Sequence, residues 1–158
     1  MKTSILLPEF FIPFIFISTI VSSSFAIADS NGIIKIKSVN SVKATLDKLE
    51  DVLNKKGMTI FTRINHTAGA EKAGIPLRAT ELLVFGNPEV GTPLMLCSRT
   101  AALDLPQKAL AYKDKNGQVW LAYNDPAYMA KRHNLKNCDA AIQKVTNALA
   151  KFSSTATN

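Results

Sequence analysis

Residues 108–123 read KALAYKDKNGQVWLAY. Two alternating runs, 110–113 and 118–123, flank Asp114, Lys115, Asn116 and Gly117, a turn whose glycine is free to take a positive φ. The segment predicts a hairpin, and a hairpin commits this part of the chain to antiparallel pairing.

On the carboxyl side, Asp125 and Pro126 predict a helix start: the aspartate accepts a free backbone donor, and proline suits the first turn, where no donor is needed. A short helix to His133 follows. A last helix over 138–152 places Ala141, Ile142, Val145, Leu149 and Phe152 on one side. The small polar tail 153–158 is expected to fray.

On the amino side, Asn87 and Pro88 repeat the cap-and-proline arrangement and predict a helix over 88–102, with Pro93 tolerated if that helix begins near Thr92. Earlier strands are predicted at 33–39, 58–65 and 79–85. In the second, Met58, Ile60, Thr62 and Ile64 alternate with Thr59, Phe61, Arg63 and Asn65. A single helical turn fits 68–74. The clearest helix starts at a Ser41 cap, presents Val42, Leu46, Leu49, Val52 and Leu53 on one face, and stops at Gly57. The order β-α-β-β-α-β-β-α-α predicts an α+β domain with a mainly antiparallel five-stranded sheet and helices on one face.

The chain has 158 residues, 47% hydrophobic and 20% charged, which excludes a disordered tail, a collagen and a multispan membrane protein. Residues 1–28 differ in kind from the rest. Lys2 precedes an apolar run over 10–21, small residues follow, and Ala26, Ile27 and Ala28 suit a signal peptidase, so 1–28 reads as a signal peptide cleaved before Asp29. The run is interrupted by Pro13 and falls short of the roughly 20 apolar residues of a spanning helix. Residues 29–158 are then a single soluble domain, periplasmic or secreted, with no stable membrane insertion. Its net charge stays +7, because the leader removes one charge of each sign, Lys2 and Glu9. The basic residues are scattered, as on a solvated surface, and an exported protein does not meet nucleic acid. Cys97 and Cys138 are the two cysteines. In an oxidising compartment they form a disulfide; otherwise they are two buried thiols behaving as small apolar groups.

From Phe85 to His133 the chain carries a longer pattern: Phe85, Gly86, Asn87, Pro88; Gly91, Thr92, Pro93, Leu94, Met95; Leu103, Asp104, Leu105, Pro106, Gln107, Lys108; Asp114, Gly117, Val119, Trp120; and Tyr123, Asn124, Asp125, Pro126, Tyr128, Arg132, His133. This pattern, with the His66 segment, resembles the family called domain of unknown function 302. The resemblance implies a curved antiparallel sheet similar to the TATA-binding-protein-like arrangement, and it implies no reaction.

Candidate chemistry is sparse. His66 and His133 are the only histidines, and none of the histidine, cysteine or carboxylate spacings is that of a metal site; no cofactor is indicated. His133 beside Arg132 suits a helix carboxyl end. An enzyme would use His66 with Asp104 or Asp125 as an acid and base pair. A binding domain has two expected sites. If the helix starts at Asn87 and Asp125 converge, free backbone donors meet a small anionic ligand, helped by Arg78, Lys108 or Arg132 and by the Tyr123 and Asn124 loop. Alternatively, Tyr112, Trp120 and Tyr123 line a concavity of the sheet for an amphipathic ligand. The sequence reading favours a noncatalytic ligand-binding or accessory protein of the bacterial envelope, with enzyme and structural partner as alternatives. Oligomeric state is not legible.

Overall fold

The computed structural model describes residues 26–28 and 30–158. The leader expected over 1–28 lies outside the described residues apart from 26–28, which form a short strand. In chain order the elements are β1 (Ala26–Ala28), β2 (Ile33–Ser38), α1 (Val42–Lys55), β3 (Thr59–Asn65), α2 (His66–Lys72), β4 (Thr80–Gly86), α3 (Pro88–Cys97), a 3-10 helix (Arg99–Leu103), β5 (Gln107–Lys113), β6 (Val119–Asn124), α4 (Pro126–His133) and α5 (Asp139–Thr157).

The strands form one open sheet in the order β1-β2-β6-β5-β4-β3, antiparallel at every step. The five expected strands are all present, and the protein is α+β. The hairpin that decides the topology closes through Gly117 at φ +83°, while the Asp114 carboxylate accepts from the backbone N–H groups of Asn116 and Gln118.

Helices cover one face because the strands alternate. Ile36, Leu83, Phe85, Ala109, Ala111, Val119, Leu121 and Tyr123 point to it and are buried with Leu46, Leu49 and Leu53 of α1 and Val145, Leu149 and Phe152 of α5. The other face carries Leu82, Val84, Leu110, Tyr112 and Trp120.

Three expectations are corrected. The tail does not fray: α5 runs to Thr157, whose carbonyl accepts from the Val39 N–H at 3.0 Å, and Ser153, Ala156 and Thr157 are buried. Its small side chains allow close packing. The helix over 88–102 is two pieces, because Ser98 is extended (φ −156°, ψ 121°) and separates α3 from the 3-10 helix. Pro93 sits inside α3, which begins at Pro88; the carbonyl left without a donor belongs to the exposed Glu89. Finally, the alternation of β3 is broken by a β-bulge between Ile60 and Thr62. Ile60 stays on the helix side opposite Phe85, Thr62 and Ile64 turn to the open face, and Arg63 comes under α1.

Candidate functional site

One end of the domain holds an apolar cleft of about 260 Å³. Its walls are α3 (Val90, Leu94, Met95) and the 3-10 segment with Leu105; its floor is Gly86, Pro106 and Gln107, and the bulged Phe61 stands beside them. Glycine keeps the floor open, since a Cβ at Gly86 would come within 3.3 Å of both the Phe61 ring and Pro106. Asn87 fixes the entry of α3: its Oδ1 accepts from the Glu89 N–H at 2.8 Å and its Nδ2 donates to the Gly57 carbonyl at 3.2 Å. At the other end of α3, Cys97 and Cys138 form a disulfide pair with Cα atoms 6.5 Å apart. No charged side chain lines the cleft.

Behind the cleft wall lies a polar cluster. The His133 Nε2–H donates to Asp104 Oδ2 at 2.6 Å, since a carboxylate only accepts, and His133 Nδ1 meets the Thr100 hydroxyl at 3.1 Å. Thr100 in turn lies 3.0 Å from the Ser98 hydroxyl. Arg132 donates to both Asp104 oxygens at 3.2 and 3.3 Å. The ammonium of Lys108 donates to the carbonyls of Asp104 and Pro106 at 3.0 and 2.8 Å. The His133 side chain is only 4% exposed, so it is no simple helix-end cap. The cluster has the residue types of a general-base relay, but neither Thr100 nor His133 lines the apolar cleft or the cavity on the open face of the sheet. Its visible role is to pin the 3-10 helix to α4.

The other expected site residues are dispersed. His66 opens α2, is exposed, and makes no side-chain hydrogen bond or ion pair among the described residues; Asp104 pairs with His133 instead. Asp125 caps α4 by accepting from the Ala127 N–H at 2.9 Å. The strands feeding α3 and α4 flank β5, but the Asp125 carboxylate occupies one helix start with negative charge. Arg78 lies elsewhere, donating to the Lys113 carbonyl. Lys108, Tyr123 and Asn124 border a cavity of about 210 Å³ on the open face with Leu82 and Leu110. Tyr112 and Trp120 share that face, whereas Tyr123 alternates to the helix side; there burial raises its pKa against the opposing effect of a hydrogen bond with Ser153. Asn87, expected at an anion site, lines this apolar cleft instead; Phe61, which the bulge brings there, and Gln107, which has no signal beyond its place in the pattern, are not legible in the sequence as cleft residues.

Fold and site together define an open-sheet α+β domain with a small apolar cleft at the helical end. The chain belongs to the family described as Domain of unknown function DUF302, whose model matches residues 34–152. It is similar to the crystal structure of an uncharacterized conserved protein DUF302 from Bacillus stearothermophilus, with a TM-score of 0.72 at 16% identity, covering 79% of this chain and 98% of that one; this likeness shows the fold. Over 119 residues, 75% of this chain, it is 47% identical to Fluoride-specific ion channel FluC 1 of Brucella suis biovar 1 (strain 1330), covering 46% of that protein. The same identity and span link it to Fluoride-specific ion channel FluC 2 of Brucella melitensis biotype 1 (strain ATCC 23456), of which 44% is covered. The chain thus spans less than half the length of these curated relatives. Among the described residues no helix is long and apolar enough to cross a membrane.

Proposed function

We propose that this domain is a noncatalytic, exported binding module that holds a small apolar molecule in the cleft under α3. The observation that carries the reading is convergence: two separated parts of the family pattern, 86–95 and 105–107, both supply lining residues to this apolar cleft. A concave, mostly apolar pocket with few polar groups is the common form of a small-molecule site, and its volume, just under the roughly 300 Å³ lower end of such sites, suits a single ring or short chain. The absence of a lining charge argues against the anionic ligand that the two helix starts suggested, because a buried charge without a partner is strongly disfavoured. The Cys97 and Cys138 pair supports an oxidising compartment.

An accessory role fits the relatives. Ion conduction requires structure that spans the bilayer. A unit that fills under half of proteins named as ion channels, and that carries no spanning helix among its described residues, suits an attached sensor or adaptor better than a pore.

The test is native mass spectrometry of protein purified from the envelope, alongside titration with the neutral fluorophore 1-aminoanthracene. Gly91→Leu is the blocking variant: Gly91 lines the cleft, a Cβ there meets only Leu105 at 3.7 Å, and replacing a helical glycine favours α3. Wild type should bind the fluorophore saturably and the variant at least tenfold more weakly. Equal binding by the two, or none by wild type, removes the cleft as the site.

A further inference from the structure

Among the described residues two cleft side chains keep their polar groups unspent, the exposed Thr92 and the buried Gln107, and of these only Gln107 is shielded from bulk water. It is 9% exposed, lies at the first position of β5, and lines the cleft floor beside Pro106. Its backbone is paired with Phe85, but its carboxamide has no hydrogen-bond partner among the described residues. No fully occluded side-chain nitrogen or oxygen lacks a partner there, so this carboxamide keeps a little exposure, on a residue that lines the cleft. Asn87, by contrast, has committed both ends of its amide to Glu89 and Gly57. An amide this far withdrawn from bulk water meets a protein group, an ordered water or a ligand in native proteins, and a ligand that covers it without answering it costs free energy comparable to a lost hydrogen bond.

We infer that Gln107 is the specificity residue of the cleft and selects an uncharged, largely apolar molecule whose single polar head both donates and accepts, as a primary amide or lactam does. This deepens the ligand-binding reading and rests on it. A carboxamide presents an N–H donor and a carbonyl acceptor side by side, and an amide head returns the complementary pair in one plane. A hydrocarbon of the same shape would leave both Gln107 groups unmet. A carboxylate satisfies the donor but turns an acceptor against the Gln107 oxygen, and it enters a cleft with no cation. The ammonium of Lys108, next in sequence to Gln107, is already held by the carbonyls of Asp104 and Pro106. A site built to hydrogen-bond its ligand rejects an analogue lacking the group more strongly than a hydrophobic pocket rejects a missing methylene.

Three shape-matched probes test this by calorimetric titration of the full mature chain: benzamide, isopropylbenzene and benzoate. Wild type should bind benzamide about tenfold more tightly than isopropylbenzene, the ratio that one net hydrogen bond of about 1.4 kcal/mol provides, and benzoate most weakly. Gln107→Leu should keep the affinity for isopropylbenzene and lose the preference for benzamide. Equal affinities for the two neutral probes in wild type, or a benzamide preference that survives Gln107→Leu, would overturn the assignment of Gln107 while leaving the cleft as a site. Tightest binding of benzoate would overturn the neutral-ligand assignment. If wild type binds none of the three, the ligand-binding reading itself fails and takes this one with it. Should Gln107→Leu not fold, the wild-type ranking decides alone.

Discussion

Asp104 accepts from a nearly buried histidine and from Arg132, and its own backbone carbonyl holds Lys108. One side chain therefore links the segment before β5 to the end of α4. Replacing it by alanine removes the one carboxylate that meets His133 among the described residues and leaves a buried ring N–H without that acceptor, at a cost of about 1–3 kcal/mol. Denaturant unfolding of Asp104→Ala should show that loss, whereas His66→Ala, on an exposed ring with no partner, should leave stability within about 0.5 kcal/mol. The reverse ranking would mean that the 104–133 pair is not formed in solution. At this scale the sequence is half legible. Asp104 stands out as a histidine partner and Arg132 as a helper of an anion site, but the spacing points to His66 for Asp104, because the chain order does not say that α4 returns beside the 3-10 helix. Gln107 was invisible as a ligand group for a related reason: a glutamine opening a strand looks like any polar edge residue until its neighbours are known.

The β5 and β6 hairpin was read correctly because everything that determines it is local: a period of two on both sides and a turn containing Gly117. Its hub is Asp114, which accepts from the Trp120 indole N–H at 2.8 Å and from two backbone donors of the turn. Those bonds, the indole first, hold its pKa below the usual 3.8. A carboxylate with a depressed folded value stabilises above its unfolded pKa, and that contribution is lost as pH falls through the folded value. The hairpin should therefore hold its indole contact at neutral pH and lose it below about pH 3.8, seen as a change in Trp120 fluorescence that Asp114→Ala abolishes at every pH. A pH-independent Trp120 signal down to pH 2 would count against the bond. Long-range elements were less legible. The end of α5 reads as a polar tail because Ser153, Ala156 and Thr157 carry no hydrophobic signal, yet they are small enough to pack closely just past the end of β2, where the Thr157 carbonyl accepts from the Val39 N–H. Removing residues 153–158 should free the Val39 N–H and the Tyr123 hydroxyl of their partners Thr157 and Ser153 and lower the urea midpoint clearly; an unchanged midpoint would mean that the last turns are idle.

At the scale of the whole molecule, the sheet and α1 form a body that needs no staple, whereas α3 is loosely held. Of its ten residues only Leu94 is buried, and it is tied at its start by Asn87 and at its end by the bridge from Cys97 to Cys138 at the head of α5. The bridge therefore joins the wall of the cleft to the helix that supplies Val145 behind it. Closing a loop with a sequence separation of 41 restricts the unfolded chain enough to contribute about 2–4 kcal/mol. The double variant Cys97→Ser, Cys138→Ser should lose about that much in urea unfolding while keeping the far-ultraviolet signature of the sheet and α1. Its effect on the cleft should be larger than its effect on the core, because α3 is the part whose position depends on the tether. Binding of 1-aminoanthracene should weaken in the double variant, and reduction of wild type should reproduce the change. If stability falls while binding is untouched, the bridge supports the fold alone and α3 is positioned by Leu94 and Asn87. If neither moves under reducing conditions, the two cysteines act as separate packed thiols, and the argument for an oxidising compartment loses its structural support.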